Sequence, residues 1–312
     1  MATIAARGLG KSYGGKPAVL DLSFDVQPGS VTGFLGPNGS GKSTTMRLML
    51  GLDNGQGSTT FDGRPFTELH RPMRHVGALL EAKPFHPTRK ARNHLRMLAA
   101  ANAIPTSRVD EVLALVGLTE VAKAKPKNFS MGMGQRLGLA AALLGDPHTL
   151  ILDEPANGLD PQGIQWMRMF LKALAGEGRS VFVSSHLLSE MALMADHLVV
   201  IGKGRLIATG PVEEFVSSSQ ANAVIVRSPD AAVLADLLVA RGAQVTPGEP
   251  GLLTVTGTTL DAVGDLAFDN GLRLHELSAK VATLEEAFLE RTAGAEEFQA
   301  VVGPLPGEGG AA

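Results

Sequence analysis

The chain contains no cysteine among its 312 residues, and this absence removes several kinds of functional site. Disulfides, zinc sites built on thiolates and a cysteine nucleophile are all excluded, and a cysteine-free chain fits a reducing compartment. The net charge is −3, so the chain lacks the overall basic character of a nucleic-acid-binding protein. We therefore expect no nucleic-acid partner.

Long apolar runs are missing as well, because no stretch approaches the ~18 residues that a membrane-spanning helix needs. The opening residues, MATIAARGLGKSYGG, have no apolar centre of the signal-peptide type. Hydrophobic residues make up 44% of the chain and charged residues 19%, which is ordinary for a soluble globular protein. We expect about two domains in a cytoplasmic protein that reaches a membrane only through a partner.

Short apolar segments alternate with helical patterns over the first 215 residues, and this order predicts a mostly parallel α/β structure. Strands are indicated on both sides of the Pro28–Gly29 turn within 19–35, and again at 58–63, 149–155, 180–186 and 197–210. Helices are indicated at 41–49, 91–103, 108–117 and 133–145.

A second unit follows a change of composition near residue 216, where VSSSQAN (216–222) is typical of a linker. Beyond it the patterns predict strands at 223–227, 243–246, 252–256 and 272–277, with helices at 230–241 and 259–270. That order is βαββαβ, a ferredoxin-like α+β unit. A last helix is predicted at 283–292, and we expect the tail at 293–312 to be disordered.

A phosphate-binding motif lies directly after an apolar strand and before a helix. Gly36, Gly41, Lys42 and Ser43 in GFLGPNGSGKSTT have the spacing of a P-loop. The glycines let backbone N–H groups converge on phosphate oxygens at a helix N-terminus. Lys42 would contact the β- and γ-phosphates and Ser43 would bind Mg²⁺. The alternative, a glycine-rich turn without a ligand, is disfavoured by the strand and helix on either side.

Two adjacent carboxylates end the apolar segment TLILDEP (149–155). Asp153 is expected to hold Mg²⁺, as the carboxylate at this strand end does in P-loop proteins. Glu154 follows at once, and the two negative charges would repel each other unless a cation lay between them. A solvated turn is the alternative, although the apolar run leading into the pair argues against it.

The P-loop, FSMGMGQR, LILDEPANGLDP and SSH occur in the order and spacing of an ABC (ATP-binding cassette) ATPase, which the chain resembles from residue 4 to 215. The resemblance implies a P-loop NTPase fold with a RecA-like core, an antiparallel β subdomain and a helical subdomain at about 85–145. It further implies that ATP and Mg²⁺ are the cofactors and that ATP is hydrolysed. The expected division is a cassette at 1–215, a linker at 216–222 and an accessory domain at 223–292.

The same resemblance implies a role for each matching residue. Tyr13, the sole tyrosine, would stack on adenine, Glu154 would be the general base, and His186 would reach the γ-phosphate as a switch histidine. Asp160 in ANGLDP would communicate between two cassettes. The expected ATP-binding segment comprises Gly36, Pro37, Asn38, Gly39, Ser40, Gly41, Lys42, Ser43 and Thr44.

The signature segment departs from the family pattern, which is usually Leu-Ser-Gly-Gly-Gln. Here Ser130 and Gly132 keep the hydroxyl and the close backbone approach, whereas Met131 and Met133 replace the first glycine and the glutamine. In the family this motif contacts the ATP held by the opposite subunit. One chain has one P-loop and one signature, so the resemblance implies a dimer, either of two copies or with a second cassette chain.

Glu81 stands where the family usually has the glutamine that contacts Mg²⁺ and the membrane subunit. Together with SMGM and the C-terminal domain ending in LEEAFLERT, Glu81 resembles the drug- and bacitracin-resistance type of exporter cassette. The metal ligands implied are Ser43, Glu81 and Asp153. The implied partner is a polytopic membrane subunit, which would hold the chain at the inner face of the cell membrane.

Other functions remain open from the sequence. A soluble ABC ATPase that acts on nucleic acid or ribosomes usually carries two cassettes, a long coiled coil or zinc cysteines, and none of these is visible. A regulatory module could use the βαββαβ unit as a ligand sensor. The same unit could instead only stabilise a dimer, because no ligand-binding constellation stands out between 223 and 292.

Overall fold

The computed structural model describes residues 4–81, 85–219 and 221–292. The strands are β1 (Ile4–Tyr13), β2 (Lys16–Val26), β3 (Val31–Leu35), β4 (Gln56–Phe61), β5 (Arg64–Pro65), β6 (Val76–Leu79), β7 (Thr149–Leu152), β8 (Ser180–Ser184), β9 (His197–Gly202), β10 (Arg205–Pro211), β11 (Ala223–Arg227), β12 (Gln244–Pro247), β13 (Leu252–Thr256) and β14 (Glu276–Lys280). The helices are α1 (Lys42–Met49), α2 (Ala91–Ala101), α3 (Ser107–Leu115), α4 (Met131–Leu143), α5 (Pro161–Gly176), α6 (Leu188–Met194), α7 (Val212–Ser217), α8 (Ala231–Ala240), α9 (Leu260–Asp269) and α10 (Leu284–Thr292).

Two sheets build the first part of the chain. One is antiparallel with the order β2-β1-β4-β5, and the other has six strands in the order β10-β9-β3-β8-β7-β6. All neighbours in the second sheet are parallel except β10, which pairs antiparallel with β9. Because β3, β7 and β8 run the same way, their carboxyl ends meet at one edge of the sheet, where ligands of α/β proteins bind. The P-loop, the Asp153–Glu154 pair and His186 follow these three strands.

Aromatic side chains join the two sheets. Phe34 on β3 and Phe182 on β8 have ring centroids 4.9 Å apart, and Phe24 on β2 lies 5.8 and 5.4 Å from them. Phe34 and Phe182 are fully buried. Each such ring removes a large apolar area from water, and tilted or offset pairs at these distances add about 0.5–1.5 kcal/mol beyond burial. The rings thus fix the antiparallel sheet on one face of the sheet that carries the site.

Helices α2 to α6 pack on the other face of the parallel sheet. Apolar side chains of α2 to α6 form one continuous core with β3, β6, β7, β8 and β9. Helices α2, α3 and α4 lie within the helical subdomain expected at about 85–145. Helix α4 begins at Met131 instead of residue 133, because the Ser130 side chain accepts a hydrogen bond from the Met133 N–H and caps the helix.

The C-terminal unit has the predicted element order βαββαβ. Its four strands form an antiparallel sheet, β12-β13-β11-β14, and α8 and α9 supply the helices. This is the strand order of a ferredoxin-like unit, with the first and third strands in the centre. Its core, which includes Val226, Leu234, Val255 and Val263, is separate from the two cores of the first part of the chain.

The last strand of this sheet was predicted four residues too early. The sequence pattern favours a strand at 272–277, whereas β14 begins at Glu276, which pairs with Arg227 of β11. Leu272 and Leu274 pack against the core without strand pairing. Arg273, between these two leucines, is held by Ser228, the residue that follows β11, because Ser228 Oγ donates to the Arg273 carbonyl at 2.6 Å. The alternating leucines that predicted a strand at 272–277 are therefore divided between two elements. Leu272 and Leu274 lie in a partly buried loop, and Leu277 lies in β14.

The segment expected as a linker is tied into the structure. Val216 and Ser217 belong to α7. Asn222 donates to the Val216 carbonyl at 2.8 Å and accepts from the Ala282 N–H at 2.8 Å, and Ser219 donates to Glu290 at 2.8 Å. Residue 220 lies outside the described residues. The two ends of the C-terminal unit, before β11 and after β14, are thus bound to each other.

Helix α10 packs against the first part of the chain, although the sequence predicted it as part of the accessory domain at 223–292. Its buried side chains Leu284 and Phe288 belong to the same core as α5, α6 and Phe215 of α7. The Arg291 guanidinium lies 4.6 Å from the centre of the Phe215 ring. The expected accessory domain at 223–292 therefore differs from the structure at its last helix. The predicted tail at 293–312 lies outside the described residues.

Over the ranges that the structure describes, no helix combines the length and the apolarity needed to cross a membrane.

Candidate functional site

The P-loop takes a backbone path that requires glycine. Gly39 and Gly41 have φ values of 80° and 101°, in the left-handed region that side chains disfavour. A Cβ at Gly41 would lie 2.5 Å from the Ala18 carbonyl oxygen, and one at Gly36 would lie 2.5 Å from Ser40 Oγ. The loop ends at α1, so the first N–H groups of that helix have no partners within it.

The P-loop borders a cavity of about 320 Å³ that also meets the Asp153–Glu154 pair. Its lining comprises Ala18, Asn38, Gly39, Ser40, Gly41, Lys42, Ser43, Thr44, Asp153 and Glu154. Seven of the nine residues of the predicted ATP-binding segment are in this set. The other two, Gly36 and Pro37, accept hydrogen bonds from Lys42, which lines the cavity. Backbone amides, a lysine and a helix N-terminus are the groups that bind a triphosphate.

Lys42 is folded onto the loop that precedes it. Its Nζ donates to the carbonyl oxygens of Gly36 and Pro37 at 2.7 and 3.2 Å, and the residue is only 9% exposed. Burial lowers the pKa of Lys42, while the carboxylates of Glu154 and Asp153 act in the opposite direction. Ser40 Oγ is buried and has no hydrogen-bond partner among the described residues. Polar groups with weak or missing partners fit a site that receives phosphate oxygens.

The two carboxylates and the histidine meet beside this cavity. His186 Nδ1 lies 2.6 Å from Glu154 Oε2, and the His186 backbone N–H donates to the same oxygen at 3.3 Å. Glu154 has φ 49°, an unusual value for a residue with a side chain. The sequence placed these residues at the ends of β7 and β8, and the structure brings them into direct contact.

Ser184, the last residue of β8, is part of this cluster although the sequence analysis gave it no role. Its Oγ donates to Asp153 Oδ1 at 2.5 Å and accepts from the Glu154 N–H at 2.9 Å. The available signal was a hydroxyl at the buried end of the otherwise apolar run SVFVS, next to an acidic pair on the neighbouring strand.

Tyr13 does not line the P-loop cavity. It lies at the end of β1 and is 50% exposed, and its hydroxyl donates to Asp53 Oδ2 at 3.0 Å. Lys11 Nζ lies 5.0 Å from the centre of its ring. The hairpin that holds Tyr13 continues into β2, where Ala18 reaches the cavity. Stacking of Tyr13 on adenine stays a prediction.

Glu81 is likewise apart from the P-loop cavity. It is exposed and lines a separate open groove of about 720 Å³ together with Arg47, Phe85, Arg89 and His94. The strand before it is close to the site, because the Asp153 N–H donates to the Leu79 carbonyl at 2.7 Å. The role of Glu81 as a Mg²⁺ ligand stays a prediction.

The signature segment packs on residues 156–160 of its own chain. Met131 is 47% exposed and lies over Gly158, where an added Cβ would come within 1.8 Å of the Met131 sulfur. Gly132 faces Leu159, whose Cδ2 would be 3.0 Å from an added Cβ. Met133 is half-buried against the core. Of the described residues that line the P-loop cavity, none belongs to the signature 130–133.

Asp160 caps α5, because its Oδ1 accepts a hydrogen bond from the Gly163 N–H at 2.8 Å. This contact fixes the end of the segment that carries Gly158 and Leu159. The predicted communication between two cassettes through Asp160 is not tested by it and stays a prediction.

Comparison with known proteins gives two family matches. A model described as "ABC transporter" matches residues 19–157. A second model, described only as a domain of unknown function, matches residues 222–285. The first match contains the P-loop and the Asp153–Glu154 pair, and the second covers the ferredoxin-like unit.

Curated relatives and a solved structure agree with the first match. An uncharacterized ABC transporter ATP-binding protein of Bacillus subtilis, YhcH, is 38% identical over 296 residues, covering 92% of this chain and 95% of the relative. The bacitracin transport ATP-binding protein BcrA of Bacillus licheniformis is 40% identical over 237 residues, covering 71% of this chain and 77% of the relative. A solved ATP-binding subunit of an ABC transporter superposes with a TM-score of 0.63 at 25% identity, covering 69% of this chain and 92% of that one.

The nucleotide site at the edge of the parallel sheet, the cassette fold and near full-length similarity to such a relative lead to one conclusion. The chain belongs to the ABC transporter ATP-binding proteins, and it is a nucleotide-binding ATPase subunit whose hydrolysis is coupled to transport.

Proposed function

We propose that this ATPase subunit drives an exporter of antibiotics or other hydrophobic compounds. Two cassettes close around two MgATP molecules, and hydrolysis separates them and moves a polytopic membrane subunit. The observation that carries the proposal is the contact of Glu154 with His186 beside the P-loop cavity, combined with the similarity to a bacitracin transport protein. Both curated relatives described above are named as ABC transporter or transport ATP-binding proteins, which favours transport over the alternative of a soluble ABC ATPase acting on nucleic acid or ribosomes.

The chemistry assigned to the site is transfer of a phosphoryl group to water, which depends mainly on positioning and charge. Lys42 and the P-loop amides hold the phosphates, and Glu154 polarises the attacking water. His186 Nδ1 is within hydrogen-bond distance of Glu154 Oε2, so His186 would orient both the general base and the γ-phosphate. Each role matches a residue that lines or borders the cavity.

Mg²⁺ fits this site as an ion coordinated by both the protein and the nucleotide. Ser43 and Asp153 line the same cavity, and Asp153 keeps one oxygen outside its bond to Ser184. Among the described residues, no cluster of three or more histidine, cysteine or acidic side chains forms a metal site. Mg²⁺ commonly takes one or two protein ligands and completes its shell with phosphates and water. The ion would neutralise charge on the phosphates and between the two carboxylates.

A second chain is needed to complete the site. The signature residues lie at the start of α4, and the described lining of the P-loop cavity does not include them. Ser130 and Gly132 would therefore contact ATP bound to the opposite subunit. The partner is a second copy of this chain or another cassette chain.

The groove beside Glu81 is the proposed contact with the membrane subunit. It is lined by apolar side chains such as Leu52 and Met97, and by Arg89. Burial lowers the pKa of His94, the next titratable group along the groove, and Arg89 adds to that effect, so His94 is neutral near pH 7. A docked membrane subunit would hold the chain at the inner face of the membrane.

The division of the chain is also part of the proposal. Residues 1–215 form the cassette, and the residues between 222 and about 281 form an accessory unit. The unit serves to stabilise the dimer or to regulate it. Its folding is supported by its own apolar core and its own sheet.

Glu81→Gln is expected to leave ATP binding unchanged and to alter the stimulation of hydrolysis by the membrane subunit. The change removes one negative charge from the groove, and Glu81 does not line the P-loop cavity. The measurement is ATPase activity of the chain alone and with the co-purified membrane subunit. Glu68→Gln, a change at an exposed glutamate outside the groove lining, is the matched control. Partner-stimulated rates equal to wild type would refute the assigned role of Glu81.

Export is tested by producing the chain together with the polytopic protein encoded beside it in a bacitracin-sensitive host. The expected result is an increase in the bacitracin concentration that the host survives. A Lys42→Ala chain should give no increase, because it lacks the phosphate-binding ammonium group. Equal survival with and without the active pair would contradict a bacitracin-type substrate.

A further inference from the structure

Ser184 is a buried hydroxyl at the centre of the candidate site. It ends β8, two residues before His186, and its exposed fraction is 0%. The part of the strand that leads into it is apolar, with Val181, Phe182 and Val183 fully buried. A hydroxyl in such surroundings requires hydrogen-bond partners, since an unpaired buried polar group is costly. Ser184 finds both of its partners on the acidic pair.

The two bonds use the serine as both donor and acceptor. Ser184 Oγ donates to Asp153 Oδ1 at 2.5 Å and accepts from the Glu154 main-chain N–H at 2.9 Å. The hydrogen bond to a charged carboxylate is of the stronger kind. One side chain on β8 therefore orients the Asp153 carboxylate and holds the backbone of Glu154, just after the end of β7.

The second bond matters because the Glu154 backbone is strained. Its φ of 49° is in the left-handed region, which residues with a side chain rarely adopt. That conformation turns Glu154 Oε2 toward His186, 2.6 Å from Nδ1. The hydrogen bond from the Glu154 N–H to Ser184 Oγ stabilises the main chain of Glu154 in this conformation, and the contact with His186 holds its side chain.

We propose that Ser184 is a positioning residue that sets the geometry of both the Mg²⁺-binding carboxylate and the general base. The inference rests on the function proposed for Asp153 and Glu154 and adds a residue to it. The hydrogen bond from Ser184 Oγ fixes Asp153 Oδ1, and Asp153 Oδ2 is outside that bond in a residue that lines the P-loop cavity. Groups of this kind, which orient a metal-ligating carboxylate from behind, typically change metal affinity or activity about 10–100-fold when removed.

The test uses Ser184→Ala, with Ser185→Ala as the matched control. Ser185 is the adjacent buried serine, and its Oγ accepts only from the Leu187 N–H, away from the acidic pair. In Ser184→Ala we expect kcat to fall about 10–100-fold with little change in the KM for ATP. We expect the control to retain both constants.

A second measurement separates positioning from a purely structural role. The Mg²⁺ concentration needed for half-maximal ATP binding is determined in a Glu154→Gln parent, in which ATP binding is expected to persist while hydrolysis falls about 10²–10⁴-fold. Ser184→Ala in that parent should raise this concentration about 10–100-fold, and Ser185→Ala should leave it unchanged. An unchanged Mg²⁺ dependence, with or without a lower melting temperature, overturns the proposal.

If the Ser184→Ala chain does not fold, Ser184→Cys is measured instead. A thiol has a shape similar to that of a hydroxyl but is a weak hydrogen-bond donor, so this variant should also raise the Mg²⁺ concentration needed for half-maximal ATP binding. An unchanged requirement in that variant overturns the proposal. If the Glu154→Gln parent itself fails to bind ATP with Mg²⁺, the function proposed for the site fails, which the parent shows before any Ser184 variant is compared.

Discussion

Glu154→Gln is expected to lower the rate of ATP hydrolysis by about 10²–10⁴-fold, the usual contribution of a positioned general base. Glutamine has nearly the same shape, but its amide does not accept a proton from the attacking water. ATP binding should remain close to wild type, because Lys42 and the P-loop amides are untouched. The measurement pairs phosphate release with an independent determination of ATP affinity.

Glu190→Gln is the matched control for this experiment. Glu190 is a nearby carboxylate on α6 that pairs with Arg168 at 3.2 Å and lies outside the lining of the P-loop cavity. Its replacement should leave the ATPase rate near that of wild type. Steady-state hydrolysis retained in Glu154→Gln would refute Glu154 as the base, and loss of ATP affinity would contradict the separate roles that the proposed function assigns to the base and to the phosphate-binding groups.

Phe288→Ala is expected to destabilise the cassette although the residue lies 134 positions after Glu154. Phe288 on α10 is 9% exposed and packs in the core that contains α5, α6 and Phe215. Replacing a buried phenylalanine with alanine usually lowers the free energy of unfolding by about 3–5 kcal/mol. For a domain of this size, that corresponds to a fall of about 6–20 °C in the melting temperature.

The melting temperature is followed with and without ATP, so that unfolding of the nucleotide site is observed directly. Phe268→Ala is the matched control, because Phe268 on α9 is 85% exposed and makes little contact with any core. Its replacement should leave the melting temperature within about 1 °C, as surface changes usually do. Equal melting temperatures for Phe288→Ala and wild type would contradict the assignment of α10 to the cassette core.

The packing of α10 also decides how the accessory unit can be studied. Cutting the chain at residue 216 would remove Leu284 and Phe288 from the cassette core together with the ferredoxin-like unit. A loss of oligomerisation after such a cut would mix two effects. Excision of the unit between Asn222 and Ala282, with α10 retained, separates them.

Much of the fold could be predicted because its signals are local. The P-loop specifies its own strand and helix, and the alternation of β and α elements favours a parallel sheet. The boundaries of β13 follow from a short, largely apolar run between Gly251 and Gly257. The start of β14 could not be predicted, since Leu272 and Leu274 have the spacing of a strand but pack as a loop held by Ser228.

The long-range parts of the fold and site had no local signal. LEEAFLERT has an amphipathic pattern that indicates a helix, but the pattern does not say whether its apolar face meets the neighbouring unit or the cassette. Ser184 is similar, because its meaning depends on Asp153 across the sheet, 31 residues away in sequence. The motifs supplied Glu154 and His186, and the three-dimensional structure was needed to supply the serine that joins their strands.

The contact between Met131 and Gly158 links two positions whose substitutions cannot be considered independently. Gly158 has φ 73° and lies directly under the Met131 sulfur, so any side chain there would require both a new backbone conformation and the withdrawal of Met131. Restoring the family's glycine at 131 would remove only one of these two obstacles. A substitution at Gly158 is therefore expected to destabilise the chain less when residue 131 is glycine than when Met131 covers the position.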